Sequence, residues 1–290
     1  MTAVARPRVM GILNVTPDSF SDGGLHDSIE AGLAQAMKLI GDGADILDIG
    51  GESTRPGAEP VPVHEEIART APVIAAVHAR WNGPISIDTM KPEAARAAVA
   101  AGATIWNDVT ALTWAPDAPE VAAELGCEVV LMHMLGEPRS MQVEPRYQDV
   151  VVEVRDYLAH RAEAAIAAGV ARHRITLDPG IGFGKTIEHN LALIAGLGTL
   201  AELGFPVLLG ASRKRMIRNI DPSATEAGDR LGGSIALALE GARRGAVIVR
   251  VHDVRETVQA LAVQEAVISA DQTDQNSANK IARPTNLTNG

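Results

Sequence analysis

Three polar side chains stand in segments that are otherwise apolar. Asp88, Asn107 and Asp178 each end or interrupt a short run rich in Ile, Val and Leu. A buried carboxylate is costly unless it is paired or hydrogen-bonded. A ligand with many N–H donors, such as a guanidine-like ring, would supply partners for all three. The alternative is that each residue caps the helix that follows, and Asp88 precedes Thr89-Met90-Lys91-Pro92 in a way that suits a cap. Three such residues in succession favour ligand recognition.

Cationic side chains form a second group. Arg55, Lys214, Arg250 and His252 all follow or end apolar runs, and Arg250 and His252 alternate, so both face the same side of a strand. Arginine grips phosphate oxygens with a bidentate fork, and lysine supplies a point charge. A solvated loop is the alternative, especially for Arg213-Lys214-Arg215. The alternation favours an anion-binding site.

A glycine-rich segment, residues 180–186, invites comparison with a phosphate-binding P-loop. The spacing does not fit, because the pattern requires glycine at position 179, where the sequence has Pro179. Proline also lacks the N–H that a phosphate cradle uses. We expect instead that the glycines let the backbone approach a ligand, with Phe183 as a flat wall.

Another aromatic residue, Phe20, lies in a loop rich in Ser, Asp and Gly. Such loops order over substrates as lids, whereas a local plug is the alternative. Asp18 and Asp22 in the same loop could hold Mg²⁺, which prefers carboxylate, water and phosphate oxygens. The histidines show no zinc spacing with cysteine, and no Ser-His-Asp set stands out. His133, between two methionines, is expected to be a hydrogen-bonded interior residue.

Composition limits the classes of protein that need consideration. The 290 residues carry a net charge of −10 and are 46% hydrophobic, which excludes global disorder. The acidic balance argues against nucleic acid or an anionic membrane as the main partner. The single cysteine, Cys127, cannot form an internal disulfide, which suits the cytoplasm. No run approaches the ~18 apolar residues of a membrane span, and no targeting segment is visible.

Eight short apolar runs alternate with Ala-rich segments of helical spacing, which predicts parallel strands joined by helices. The predicted strands are Val9–Val15, Ile46–Ile49, Ile85–Ile87, Thr104–Val109, Val129–Met134, Ile175–Leu177, Val207–Leu209 and Val247–Val251. The predicted helices are Ser28–Ile40, Pro92–Ala101, Val150–Ala168, Asn190–Leu203, Leu231–Arg243 and Val254–Val267.

Eight β-then-α units fit a TIM (β/α)8 barrel better than an open doubly wound sheet. The site should then lie on the loops at the C-terminal ends of the strands, where the polar residues collect. We expect residues 1–270 to form this barrel. Residues 271–290, which are polar and without periodicity, are expected to form a disordered tail.

The chain resembles dihydropteroate synthase, a family of pterin-binding TIM barrels, along nearly all of Arg8–Val267. Eight motifs carry the resemblance in the family's order. They are residues 14–24 (NVTPDSFSDGG), 51–57 (GESTRPG), 87–89 (IDT), 107–108 (ND), 131–134 (LMHM), 178–180 (DPG), 212–214 (SRK) and 250–253 (RVHD).

The resemblance implies condensation of 6-hydroxymethyl-7,8-dihydropterin diphosphate with 4-aminobenzoate, with Mg²⁺, by an SN1-like path in folate biosynthesis. It also implies a homodimer and a sulfonamide target. The implied pterin residues are Asp88, Asn107, Met132, Asp178 and Lys214, and the diphosphate residues are Asn14, Arg250 and His252. The implied 4-aminobenzoate residues are Thr54, Arg55, Pro56, Phe183 and Ser212. The implied lid residues are Asp18, Phe20 and Asp22, and the Mg²⁺ residues are Asn14 and Asp22. The implied catalytic residues are Asp88, Asp178, Lys214 and Arg250.

Two rival functions remain to be weighed. A methyltetrahydrofolate methyltransferase would share the carboxylates but needs no diphosphate site. Four cationic residues therefore argue against it: Arg55, Lys214, Arg250 and His252. A non-catalytic pterin-binding homologue would be expected to lack residues such as Asn14, Lys214 or Arg250, and all three are present.

Overall fold

Eight parallel strands form one sheet whose two ends meet. In this computed structural model we describe residues 6–15, 25–53, 59–136, 141 and 144–281, with the backbone alone for 25–28 and 271–281. The strands are β1 (Arg8–Asn14), β2 (Ile46–Gly50), β3 (Ile85–Asp88), β4 (Ile105–Asp108), β5 (Glu128–Met132), β6 (Ile175–Asp178), β7 (Leu208–Leu209) and β8 (Ile248–Val251).

The strand order is β6-β5-β4-β3-β2-β1-β8-β7, and a parallel bridge between Leu177 and Val207 joins the two ends. The predicted (β/α)8 barrel is therefore confirmed, and each predicted run contains a strand. Its helices are α1 (Leu25–Gly41), α2 (Val63–His78), α3 (Pro92–Ala100), α4 (Ala118–Leu125), α5 (Val150–Ala167), α6 (Ile187–Ala195), α7 (Leu197–Ala201), α8 (Arg215–Ile220), α9 (Leu231–Arg243) and α10 (Val254–Ile281).

Several helices differ from the prediction. Helix α2 was not predicted, and its interior Pro72 weakens the sequence signal because proline usually breaks helices. The predicted helix over residues 190–203 is divided at Gly196, where an added Cβ would lie 2.9 Å from Val151 of α5. The glycine therefore permits close packing between helices at the point of division.

The last helix also corrects the sequence expectation. Residues 271–281, expected to lie in a disordered tail, continue α10. Extending an existing helix costs far less than nucleating a new one, so a polar segment can continue a helix that is already formed. Residues 282–290 lie outside the described part of the chain. Among the residues described, none of the helices has the length and apolar character needed to span a membrane.

The barrel interior has an apolar layer beneath a polar one. Six buried side chains pack together near the N-terminal ends of the strands: Met10, Ile46, Ile105, Val130, Leu208 and Ile248. Because side chains alternate along a strand, the next inward-facing positions lie two residues further on. On β2, β4 and β8 those positions are Asp48, Asn107 and Arg250. The sequence thus places polar groups at the C-terminal mouth, above an apolar floor.

Trp106 anchors the outer core, between the sheet and the helices. It is fully buried, and its Nε1–H donates to the Thr89 carbonyl oxygen at 2.8 Å. We expect Trp106→Phe to lower the free energy of unfolding by about 1–3 kcal/mol, because the buried carbonyl loses its donor. Urea unfolding would measure this loss. Trp114→Phe is the matched control, since Trp114 is 54% exposed; equal losses in the two variants would contradict the assignment.

Candidate active site

The strand register brings the predicted pterin residues together at the barrel mouth. Asp88 at the end of β3 pairs with Asn107 of β4. Met132 at the end of β5 pairs with Asp178 of β6. All four side chains are at least nine-tenths buried. The mouth therefore presents two carboxylates, an amide and a thioether on four consecutive strands.

Arg250 connects this group through two charged hydrogen bonds. Its Nε donates to Asp48 Oδ2 at 2.5 Å, and its Nη2 donates to Asp88 Oδ2 at 2.6 Å. Asn107 Nδ2 also donates to Asp48 Oδ2, at 3.2 Å. Asp48 therefore accepts hydrogen bonds from both Arg250 and Asn107. The sequence analysis predicts that Arg250 binds the diphosphate and that Asn107 binds the pterin.

Asp48 was missed by sequence reasoning. It lies in β2, whose five residues are all buried, and its own exposure is 0%. The available signal was the same as for Asp88, namely a carboxylate inside an apolar run. The sequence alone did not show that its partner would come from β8, about two hundred positions later.

Burial shifts the titration of both predicted pterin carboxyls. It raises the pKa of Asp88 to about 7, although Arg250 opposes the shift. It also raises the pKa of Asp178, although the Gly180 N–H that donates to Asp178 Oδ1 at 2.7 Å opposes it. Burial opposes the charge of Arg250, but Asp48 and Asp88 outweigh it and raise the arginine pKa. The guanidinium therefore stays charged. One oxygen of Asp88, Oδ1, accepts no hydrogen bond from any described residue, so an N–H donor of a ligand can be accommodated there.

The loops after β7 and β8 supply the predicted cationic side. Lys214 Nζ lies 4.2 Å from the centre of the Phe183 ring, and burial together with Arg250 lowers the lysine pKa to about 8. Ser212 Oγ and His252 Nδ1 are 3.1 Å apart.

His252 differs from the sequence expectation of a cation. Burial, with Arg250 as the next cause, lowers its pKa to about 3, so the imidazole is neutral at pH 7. Since Nδ1 is engaged with Ser212, Nε2 is the ring nitrogen that can face a ligand.

The glycine-rich segment does not form a phosphate cradle. Gly180, Gly182 and Gly184 have φ values of 67°, 84° and 64°, and the Lys185 ammonium donates to the Phe183 carbonyl oxygen at 2.9 Å. Phe183 packs beside Met132 and Met134 in a small apolar cluster. The exclusion of a P-loop and the expectation of an aromatic wall both agree with this geometry.

Of the remaining predicted site residues, the structure describes only Asn14. Asn14 lies exposed at the end of β1. Six predicted residues lie outside the described part of the chain: the lid residues Asp18, Phe20 and Asp22, and the 4-aminobenzoate residues Thr54, Arg55 and Pro56. Within that part there is no group of three or more His, Cys, Asp or Glu that could hold a metal ion.

His133 is an interior, hydrogen-bonded residue, as expected; its Nδ1 lies 2.9 Å from Lys185 Nζ. Cys127 is buried and its pKa is raised to about 11 by burial, which makes it a poor nucleophile.

Comparisons with known proteins agree with this site. Residues 10–252 match the family described as pterin binding enzyme. Dihydropteroate synthase of Escherichia coli strain K12 is 48% identical over 270 residues, which cover 92% of this chain and 94% of the relative. The structure of Xanthomonas albilineans dihydropteroate synthase with 4-aminobenzoic acid matches with a TM-score of 0.85 at 52% identity, covering 91% of this chain and 94% of the other. A structure of dihydropteroate synthase from the same organism, in complex with 7,8-dihydropteroate, matches with a TM-score of 0.82 at 50% identity and the same coverage.

The rival function, a methyltetrahydrofolate methyltransferase without a diphosphate site, gains no support from these relatives. All three are named dihydropteroate synthase. The family match over most of the chain, the level of identity and the shared barrel show that this chain belongs to the dihydropteroate synthases, which are transferases of folate biosynthesis.

Proposed function

We propose that the chain joins 6-hydroxymethyl-7,8-dihydropterin diphosphate to 4-aminobenzoate by an SN1-like route. The bond between the pterin methylene carbon and the diphosphate oxygen breaks first, and diphosphate takes the electron pair. The aromatic amine then attacks that carbon and releases a proton, which gives 7,8-dihydropteroate. The observation that carries this proposal is the convergence of buried carboxylates with Lys214 and Arg250 at one mouth. No protein nucleophile is required.

The pterin is proposed to bind above the apolar floor. Asp178 and Asp88 would accept hydrogen bonds from its N–H groups, with Asn107 beside Asp88 and Met132 beside Asp178 lining the slot. Negative charge fixed next to the ring stabilises the electron-poor pterin that forms when diphosphate leaves. The acceptor without a described partner, Asp88 Oδ1, supports this orientation.

Diphosphate is proposed to lie near Asn14, Arg250 and His252. Two nitrogens of Arg250 are engaged with carboxylates, and the third, Nη1, takes part in neither bond. That nitrogen can donate to a phosphate oxygen while the guanidinium remains fixed. Mg²⁺, when bound, would neutralise charge on the leaving group. Asn14 and Asp22 would hold it together with phosphate oxygens, which suits a cation that takes few protein ligands.

The 4-aminobenzoate site is proposed to lie between Phe183 and Ser212, with Lys214 between the two substrates. Phe183 offers an aromatic face, and its neighbour Lys214 lies over that ring. The roles of Thr54, Arg55 and Pro56 here, and of Asp18, Phe20 and Asp22 as a lid, rest on the resemblance.

One assay tests the reaction. The protein is mixed with Mg²⁺, the pterin diphosphate and 4-aminobenzoate, and diphosphate release is followed with each component omitted in turn. We expect release that requires all components. No release above background from folded protein would refute the synthase proposal.

The low pKa of Lys214 predicts a pH dependence. Because the pKa is lowered to about 8 by burial and by Arg250, the ammonium loses its proton as the pH rises through 8. We expect kcat/KM for the pterin diphosphate to fall above that pH. Lys214→Arg should move this alkaline limb to higher pH, since guanidinium stays charged. If the alkaline limb of the pH profile does not move in Lys214→Arg, a group other than Lys214 causes it.

We also propose that the chain acts in the cytoplasm as a homodimer. Its one cysteine is a buried free thiol, and Val263 and Val267, four residues apart on α10, are exposed. An apolar pair on one helix face is the kind of surface that a second copy covers. Sedimentation equilibrium should give twice the mass of 30.4 kDa; a single-chain mass at micromolar concentration would contradict the dimer.

A further inference from the structure

Lys185 is a buried lysine that the proposed reaction does not use. It is 3% exposed, and its Nζ lies 2.9 Å from His133 Nδ1, 3.2 Å from the His133 carbonyl oxygen and 2.9 Å from the Phe183 carbonyl oxygen. An ammonium has three hydrogens and no acceptor. Each hydrogen therefore has one acceptor, and two of the three acceptors are backbone oxygens in different loops.

The protonation of His133 agrees with this arrangement. Burial, with Lys185 as the second cause, lowers the pKa of His133 to about 3, so the imidazole is neutral and its Nδ1 can accept. Burial also lowers the pKa of Lys185 to about 7, although Asp178 opposes that shift. The lysine is thus held by fixed acceptors rather than by a carboxylate partner.

The two loops joined by Lys185 approach each other closely. One follows β5 and contains His133 and Leu135; the other follows β6 and contains the glycine-rich segment. An added Cβ on Gly180 would lie 1.9 Å from the His133 carbonyl oxygen, and one on Gly184 would lie 2.4 Å from the Leu135 carbonyl oxygen. Tyr147 adds a neutral link, since its hydroxyl donates to the Gly184 carbonyl oxygen at 2.9 Å.

Phe183 lies at the centre of this connection. Its carbonyl oxygen accepts from Lys185, while its ring packs in the methionine cluster and lies 4.2 Å from Lys214 Nζ. The backbone at Phe183 is flanked by glycines at positive φ, which restrict the chain little by themselves. The lysine therefore adds a restraint at the Phe183 carbonyl, beside the bonds from the Phe183 N–H to the Gly180 carbonyl oxygen and from the Gly182 N–H to Asn190 Oδ1.

We propose that Lys185 is a positioning residue that fixes the Phe183 wall and thereby sets the affinity for the aromatic amine substrate. This inference rests on the proposed function, in which Phe183 lines the 4-aminobenzoate site. Lys185 touches neither substrate; it acts through the Phe183 backbone and, on its other side, through the loop after β5.

Lys185→Met tests this inference kinetically. We expect KM for 4-aminobenzoate to rise at least about tenfold, because the Phe183 wall loses a charge-assisted hydrogen bond that fixes it before the substrate binds. We expect kcat to change less than about threefold, since binding is lost equally in the ground and transition states. The Kd of the pterin diphosphate, measured by calorimetry without 4-aminobenzoate, should change by a smaller factor than this KM, because Lys185 influences the pterin ligand Asp178 through its charge and not through a hydrogen bond.

Arg161→Met is the matched control. Arg161 also holds two backbone carbonyl oxygens of a neighbouring loop, donating to Ala111 at 2.9 Å and to Leu112 at 3.1 Å. We expect this variant to lose thermal stability with an unchanged KM for 4-aminobenzoate. If Lys185→Met behaves in the same way, or raises both substrate constants equally, its role is structural and the inference is wrong.

Two further measurements keep the inference testable. Tyr147→Phe removes one neutral hydrogen bond to the same loop, so its KM for 4-aminobenzoate should rise in the same direction by a smaller factor. If Lys185→Met does not fold, an unchanged KM in Tyr147→Phe overturns the inference. Hydrogen exchange of residues 180–186 should be faster in Lys185→Met than in Arg161→Met, and this readout requires no turnover. Failure of wild-type turnover would refute the proposed function, whereas unchanged exchange would refute the role of Lys185.

Discussion

Replacing Arg250 by methionine is expected to lower the free energy of unfolding by about 3–5 kcal/mol, the usual cost of breaking a buried ion pair. The reason is that Arg250 serves two carboxylates at once. Asp48 has no exposed surface, so its charge cannot be solvated when the guanidinium is removed, and Asp88, which is 9% exposed, must take up a proton. Urea unfolding followed by circular dichroism would measure the loss.

A surface ion pair provides the control for this variant. Arg96 bonds to Glu124 across two exposed side chains. Arg96→Met should therefore cost far less than Arg250→Met, because an exposed ion pair contributes little to stability. In the double variant Asp48→Asn/Arg250→Met, part of the loss should be recovered because one of the stranded charges is gone. A loss for Arg250→Met as small as that for Arg96→Met would contradict the bridge between the two aspartates.

The second large effect is expected at Asp178. Asp178→Asn keeps an oxygen for the Gly180 N–H but removes the negative charge from the mouth. We expect kcat/KM for the pterin diphosphate to fall about 10²–10³-fold, as when one preorganised electrostatic group is lost from an active site. Stability should change little, because an unfavourable buried charge is also removed. Steady-state kinetics with saturating 4-aminobenzoate would measure the effect.

The variant Asp108→Asn distinguishes a role of Asp178 in substrate recognition from a general disturbance of the barrel mouth. Asp108 is equally buried, but its side chain accepts the Thr110 N–H at 2.7 Å and the Leu112 N–H at 2.9 Å. It therefore organises the loop after β4, and its carboxylate accepts from Thr110 and Leu112 and not from a proposed pterin ligand. We expect lost stability with a nearly normal kcat/KM. Equal kinetic losses in the two variants would mean that Asp178 acts by supporting the fold.

The sequence predicted the barrel well because strand signals depend on local composition. Each apolar run became a strand, and alternation along β8 correctly placed Arg250 on the inner side. Helix limits were less predictable. Pro72 concealed α2, and the polar stretch beyond Asp271 gave no sign that α10 would extend through it. In both places tertiary packing or helix propagation outweighs local residue preference.

The part of the candidate site that could be predicted consists of residues at the C-terminal ends of strands. Asp88, Asn107 and Asp178 could be placed by register alone, whereas their partners could not. The bonds from Arg250 to Asp48 and from Lys185 to His133 join residues on different loops or strands, and pairings of that kind depend on the closed sheet. The neutral state of His252 likewise follows from burial, which composition does not reveal.

The central claim is that one barrel mouth joins the two substrates and releases diphosphate. The most direct test is to quantify both products of a single reaction, with 7,8-dihydropteroate identified by its mass and diphosphate measured enzymatically. We predict one dihydropteroate per diphosphate, at a rate that Asp178→Asn lowers about 10²–10³-fold for both products. Diphosphate release without dihydropteroate, or equal rates in the wild type and Asp178→Asn, would contradict the account.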